Sequence, residues 1–93
     1  KYSKVAHTVS PYTILSSDIV IRVSAGAPTV LLLPVATDGR ILVIKDNGSA
    51  SAVNTITLTP NGAETIDGGA AVITVPYTSL TLVGEAGVGW YII

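Results

Sequence analysis

Thr55-Ile56-Thr57-Leu58-Thr59-Pro60-Asn61-Gly62 condenses the pattern of the whole chain into eight residues. Ile56 and Leu58 alternate with three threonines, the period of a strand that buries one face and wets the other. Pro60 has no N–H to give a ladder, so it closes the run. Asn61-Gly62 then supplies the positive φ angles that a tight turn needs. Two further runs close on proline in the same way, Thr29–Leu33 before Pro34 and Val72–Val75 before Pro76. This is compatible with a chain that turns a corner at each proline.

The pattern extends in both directions from that stretch. Strand-like runs recur about every 8 to 14 residues with turn chemistry between them. They are Val5–Val9, Tyr12–Leu15, Ile19–Val23, Thr29–Leu33, Ile41–Lys45, Asn54–Thr59, Glu64–Ile66, Ala71–Val75, Leu80–Val83 and Trp90–Ile93. Helical periodicity is missing throughout. Composition agrees: of 93 residues, 12 are Val, 10 Ile and 11 Thr, with no Phe, Met or Gln, and β-branched residues favour pleated surfaces. The expected fold is a single all-β domain over residues 1–93, a small antiparallel β-sandwich or β-prism-like domain, with residues 1–11 as a stem or linker lead-in.

Face patterns bear on assembly. Ser79-Leu80-Thr81-Leu82 alternates cleanly, whereas Ile19-Val20-Ile21, Val30-Leu31-Leu32-Leu33, Ile41-Leu42-Val43-Ile44 and Trp90-Tyr91-Ile92-Ile93 are apolar on both faces. A two-sheet domain of this size has one inner face per sheet, and exposed two-sided strands invite aggregation. The second faces are therefore expected to be covered by other copies of the chain. Leu31, Leu33, Ile44, Ile56, Leu58, Leu80, Leu82 and Trp90 are the candidates for core and interface.

Charge and chemistry narrow the function. Only 12% of residues are charged, and the net charge of −1 gives no basic footprint for nucleic acid. No window is long and apolar enough for a membrane span, and no charged n-region precedes an apolar h-region, so neither a transmembrane nor a signal segment is expected in this stretch. The absence of cysteine removes disulfides and thiolate metal sites. His7 stands without a nucleophile elbow or an orienting carboxylate and reads as a surface or interface histidine. Glu64 and Asp67 lie three apart, which in a strand puts them on opposite faces and argues against a glycosidase pair. The same stretch offers too few oxygens for Ca²⁺, and the glycines at 84, 87 and 89 precede a strand where a phosphate loop would precede a helix. Asn47-Gly48-Ser49 matches a glycosylation sequon but reads as a turn. No catalytic residue, metal or cofactor is expected, and the chain reads as a non-enzyme. Tyr77, Trp90 and Tyr91 are candidate glycan contacts, since their rings offer apolar faces and polar edges.

The segment from Tyr12 to Ile93 resembles a β-rich module found towards the C-terminal ends of bacteriophage tail fibres, tail spikes and related virion proteins. The matching words are Asp18-Ile19-Val20-Ile21, Gly26 before Thr29-Val30-Leu31-Leu32-Leu33-Pro34, and Gly39-Arg40 leading to Ile44-Lys45. They continue as Thr55–Gly62, Glu64-Thr65-Ile66-Asp67-Gly68, Ser79-Leu80-Thr81-Leu82-Val83 and Gly89-Trp90-Tyr91-Ile92-Ile93. The resemblance implies a homotrimeric, host-attaching part of a virion, joined to an upstream fibre and acting at the bacterial surface, with host polysaccharide as the candidate ligand. A start at Lys1 is expected for a C-terminal fragment of such a fibre. Arg22 departs from the module, which is more often apolar there; in a subunit interface it would need a partner such as Asp18 or Glu64. The alternative is a monomeric carbohydrate-binding module appended to a cell-wall-acting enzyme, which would show a row of exposed aromatics.

Overall fold

A computed structural model describes residues 1–6, 9–24 and 26–93. The described chain is all-β. Its strands are β1 (Tyr2–Ala6), β2 (Tyr12–Thr13), β3 (Val20–Ser24), β4 (Thr29–Leu32), β5 (Ile41–Asp46), β6 (Ile56–Thr59), β7 (Thr65–Ile66), β8 (Ala71–Ile73), β9 (Ser79–Glu85) and β10 (Gly89–Ile92). Each overlaps one of the ten runs read from the sequence. The largest shift is at β1, which starts three residues earlier than expected, and Val9 lies outside any strand. His7 and the rest of that run fall outside the described residues. No helix among the described residues is long and apolar enough to cross a membrane.

The expected antiparallel sandwich or prism is not the architecture. Sheet order is β1-β3-β5-β9-β10-β7 in one sheet and β2-β4-β6-β8 in the other. Through β9 the chain therefore changes sheet at every corner. A strand that returns to its own sheet after a full circuit runs in its original direction, so β1, β3 and β5 pair in parallel, as do β2, β4 and β6. The result is a solenoid-like coil in which each turn stacks on the last. Only at the far end does the direction reverse: β8 lies antiparallel to β6 and β9 to β5, β10 folds back on β9, and β7 closes the edge beside β10.

This winding changes what the glycine turns do. Asn47-Gly48 and Asn61-Gly62 are the residue pairs that tight hairpins favour, yet each lies on a link that carries the chain from one sheet to the other. The β9–β10 link, by contrast, is a hairpin within one sheet, with Val88 N donating to Glu85 O at 3.2 Å. The three proline-ended runs are β4, β6 and β8, neighbours in the four-stranded sheet. Each proline stands where the chain leaves that sheet.

The core lies between the two sheets. The larger sheet contributes Ile21, Val23, Leu42, Ile44, Leu82 and Trp90, and the smaller Leu31, Leu58, Ile56 and Ile73. Register stacks these residues in rows, Ile21 beside Ile44 and then Leu80, and Leu31 beside Leu58 and then Ala71. Each fully buried Leu or Ile contributes about 1.5–3 kcal/mol. Ile56 and Leu58 point inward while Thr57 and Thr59 point outward, as the alternation implied.

Candidate functional site

Polar groups at the corners hold the coil together. At the β2–β3 corner the buried Asp18 accepts from the Ser3 hydroxyl (2.7 Å), the Tyr12 hydroxyl (2.5 Å) and the Leu15 N–H (3.0 Å). Lys1 Nζ stands 3.8 Å away. Burial is the largest single influence on this carboxyl and works against its ionised form. The hydrogen bonds from Tyr12, Ser3 and Leu15, with Lys1, together outweigh it and hold the group below its ordinary value. Arg40, just before β5, donates to the Leu15 and Asp18 carbonyls at 2.8 and 3.1 Å, fastening the same corner.

At the β5–β6 corner the buried Asp46 turns its Oδ2 to the N–H groups of Gly48 (2.8 Å), Ala50 (3.1 Å) and Tyr77 (3.0 Å). Desolvation again opposes ionisation, and the ring of backbone donors overcomes it, so this carboxyl is also depressed.

The remaining acids are used in the same way. Glu64 accepts from Ala36 N (3.0 Å), Asp38 from Ala86 N (2.8 Å), Asp67 from Ile92 N (3.1 Å) and Glu85 from the Tyr91 hydroxyl (3.2 Å). Thus each of the six carboxylates accepts a hydrogen bond from the chain itself. Glu64 and Asp67 thus bond different parts of the chain, Glu64 the link at Ala36 and Asp67 strand β10 at Ile92. Among the described residues there is no pocket and no cluster of three or more His, Cys, Asp or Glu side chains suited to a metal.

The cations are arranged differently. On the outer face of the six-stranded sheet, register places Lys4 beside Arg22 and Arg22 beside Lys45. Adjacent strands lie about 4.8 Å apart, so three cations span about 10 Å in one cross-strand row. Arg22 does not pair with Asp18 or Glu64, as an interface position would have required. Its Nε (3.1 Å) and one Nη donate to Asn47 Oδ1, and its other Nη reaches the Tyr2 hydroxyl at 3.4 Å. Lys45 donates to the Tyr77 carbonyl, and its ammonium lies 5.7 Å from the centre of that ring.

Beside this row the outer face turns apolar. Val20 and Val43 are neighbours on β3 and β5, and Ile41, Val83 and Tyr91 form the next row but one across β5, β9 and β10. Val20, Val43 and Val83 are half-buried and Ile41 is 40% exposed.

Among the candidate glycan contacts, Trp90 is 1% exposed and belongs to the core, while Tyr77 and Tyr91 are 66% and 41% exposed. Tyr77 precedes the start of β9 and Tyr91 pairs with Val83 near its end. From Ser79 to Val83 alone is about 13 Å, so the two rings do not share one platform. Of the core and interface candidates, Leu31, Leu33, Ile44, Ile56, Leu58, Leu82 and Trp90 are buried within the single chain, and Leu80 is partly buried against them.

The row of cations is what sequence reading missed. Lys4, Arg22 and Lys45 are 18 and 23 residues apart, and their alignment depends on a parallel register that no local pattern encodes. The one local signal is that Arg22 stands between two inward residues, Ile21 and Val23, and so had to face outward. Compared with protein-family models and with curated protein sequences, the chain matches none.

Proposed function

We propose that the chain is a non-catalytic structural and adhesive module of a bacteriophage tail fibre or spike. In this reading it assembles as a homotrimer, continues an upstream fibre and meets the host cell surface. The observation that carries the assembly is the apolar part of the outer face of the larger sheet, formed by Val20, Val43, Ile41, Val83 and Tyr91. In a lone chain these side chains meet water, and a threefold contact would cover them. The engagement of all six carboxylates within the chain supports a structural role, since each already accepts a hydrogen bond from another part of the fold. The sequence words shared with fibre modules supply the biological setting. Separation of the tyrosines and burial of Trp90 weigh against the alternative of a monomeric module with an aromatic platform.

The test is the solution mass by light scattering after size exclusion at micromolar concentration. A mass of three 9.5 kDa chains, unchanged on dilution, is the expected result. A soluble, stable monomer would overturn the assembly and put the monomeric module first.

A further inference from the structure

We infer that the Lys4–Arg22–Lys45 row is a binding site for an acidic polysaccharide lying across the strands. Like charges directly opposite one another on neighbouring strands destabilise a sheet, yet here three occupy one row. Among the described residues none of the three has a carboxylate within ion-pair distance; the ion pair present joins Lys1 to Asp18. Arg22 and Lys45 are held by neutral acceptors, the Asn47 side-chain oxygen, the Tyr2 hydroxyl and the Tyr77 carbonyl. Such acceptors fix where the cations stand without cancelling their charge. Those bonds do not require three cations in one row, whereas an anionic ligand would find the row preorganised.

The extent of the row indicates the kind of polyanion. The positive stretch is about 10 Å wide, and Glu85, at the far end of β9, lies about 20 Å from the Ser79 position that continues the row. Asp38 holds the loop beside Glu85. A nucleic-acid duplex, with a charge every ~1.7 Å, would bring many more phosphates along the row than three cations can meet. A glycan with a sparse carboxylate or phosphate on its repeat fits a short row, and Tyr2 and Tyr77 flank it with ring faces for the sugar. Choosing a glycan over other polyanions rests on the adhesive reading above, while the row itself does not. The row and the far apolar group of Ile41, Val83 and Tyr91 lie towards opposite ends of β5, so a trimer closed through the latter leaves three rows at its rim to act together.

The experiment titrates the chain with polysialate, neutral dextran and duplex DNA at two salt concentrations. It uses the native chain, K4Q/K45Q and E85Q, with folding checked by circular dichroism. Polysialate is expected to bind, to weaken as salt rises, and to lose about tenfold in affinity in K4Q/K45Q. E85Q, which raises net charge at a remote point, is expected to leave binding unchanged. Polysialate binding that survives K4Q/K45Q, or that rises in step with net charge in E85Q, overturns the row as the site. Tighter binding of DNA overturns the assignment to a glycan. Absence of polysialate binding by a chain that is trimeric sinks this inference alone, because the assembly is judged by mass.

Discussion

Asp46 Oδ2 accepts the backbone N–H of Tyr77 at 3.0 Å, joining positions 31 residues apart in the chain. The bond ties the corner where β5 leaves the larger sheet to the corner where β9 enters it. Tyr77 has φ of 64°, a left-handed conformation that costs a non-glycine residue energy. Its ring lies against Gly48, where an added Cβ would stand 2.7 Å from it. One carboxylate therefore organises two corners and the placement of the ring beside Lys45.

Asp46→Asn should lower stability by about 1–3 kcal/mol, because an amide oxygen in the Oδ2 position accepts the three backbone N–H groups without the charge that strengthens them, and its NH2 is left at the buried, unpartnered Oδ1 position. Urea unfolding at pH 7 measures this. A midpoint equal to that of the native chain would mean that the corners are held by packing alone.

Acid should unfold the protein through the same groups. Asp18 and Asp46 both titrate lower in the folded chain than in the unfolded one. Their stabilisation is therefore complete above the unfolded value of about 3.9 and drains away as pH falls through the folded values. The urea midpoint should be level from pH 5 to 7 and fall steeply below pH 4. Asp18→Asn should start lower at neutral pH and show a shallower acid fall, and an unchanged slope would remove Asp18 from the account.

Gly89→Ala should be severe. Gly89 has φ of 137°, and a Cβ there would lie 2.1 Å from the Thr65 carbonyl oxygen on the neighbouring β7. Neither backbone can yield without breaking the β7–β10 pair, so a loss of about 3 kcal/mol or more is expected, a fall in Tm of more than about 12 °C for a domain of this size. Gly69→Ala, which meets nothing within 4 Å, should shift Tm by a few degrees at most. Comparable losses in both variants would indicate general chain stiffening in place of a clash.

Alternation, proline stops and glycine turns are properties of neighbouring residues, so ten strands and the facing of Ile56, Leu58 and Leu82 were legible without the fold. The two-sided runs, read as a sign of assembly, have a second meaning. Near-continuous apolar stretches such as Val30–Leu33 and Ile41–Ile44 also mark parallel strands, and these strands do pair in parallel. Sequence could not separate the two meanings, because the direction in which a strand meets its neighbour depends on the path of everything between them. Asn47-Gly48 encodes a sharp bend but not the sheet in which the chain resumes.

The same division holds for the outer face. That Arg22 points away from the core follows from its two apolar neighbours, and that the chain carries five cations and six acids follows from counting. Where those charges meet does not. A net charge of −1 hid a row of three cations because the acids are taken up in bracing corners and loops while Lys4, Arg22 and Lys45 are brought together by winding. Composition and pattern set the local conformation, since each residue's backbone preference and burial are short-range. The coil, its register and its charged row belong to tertiary structure, since they arise from pairings between residues far apart in the chain.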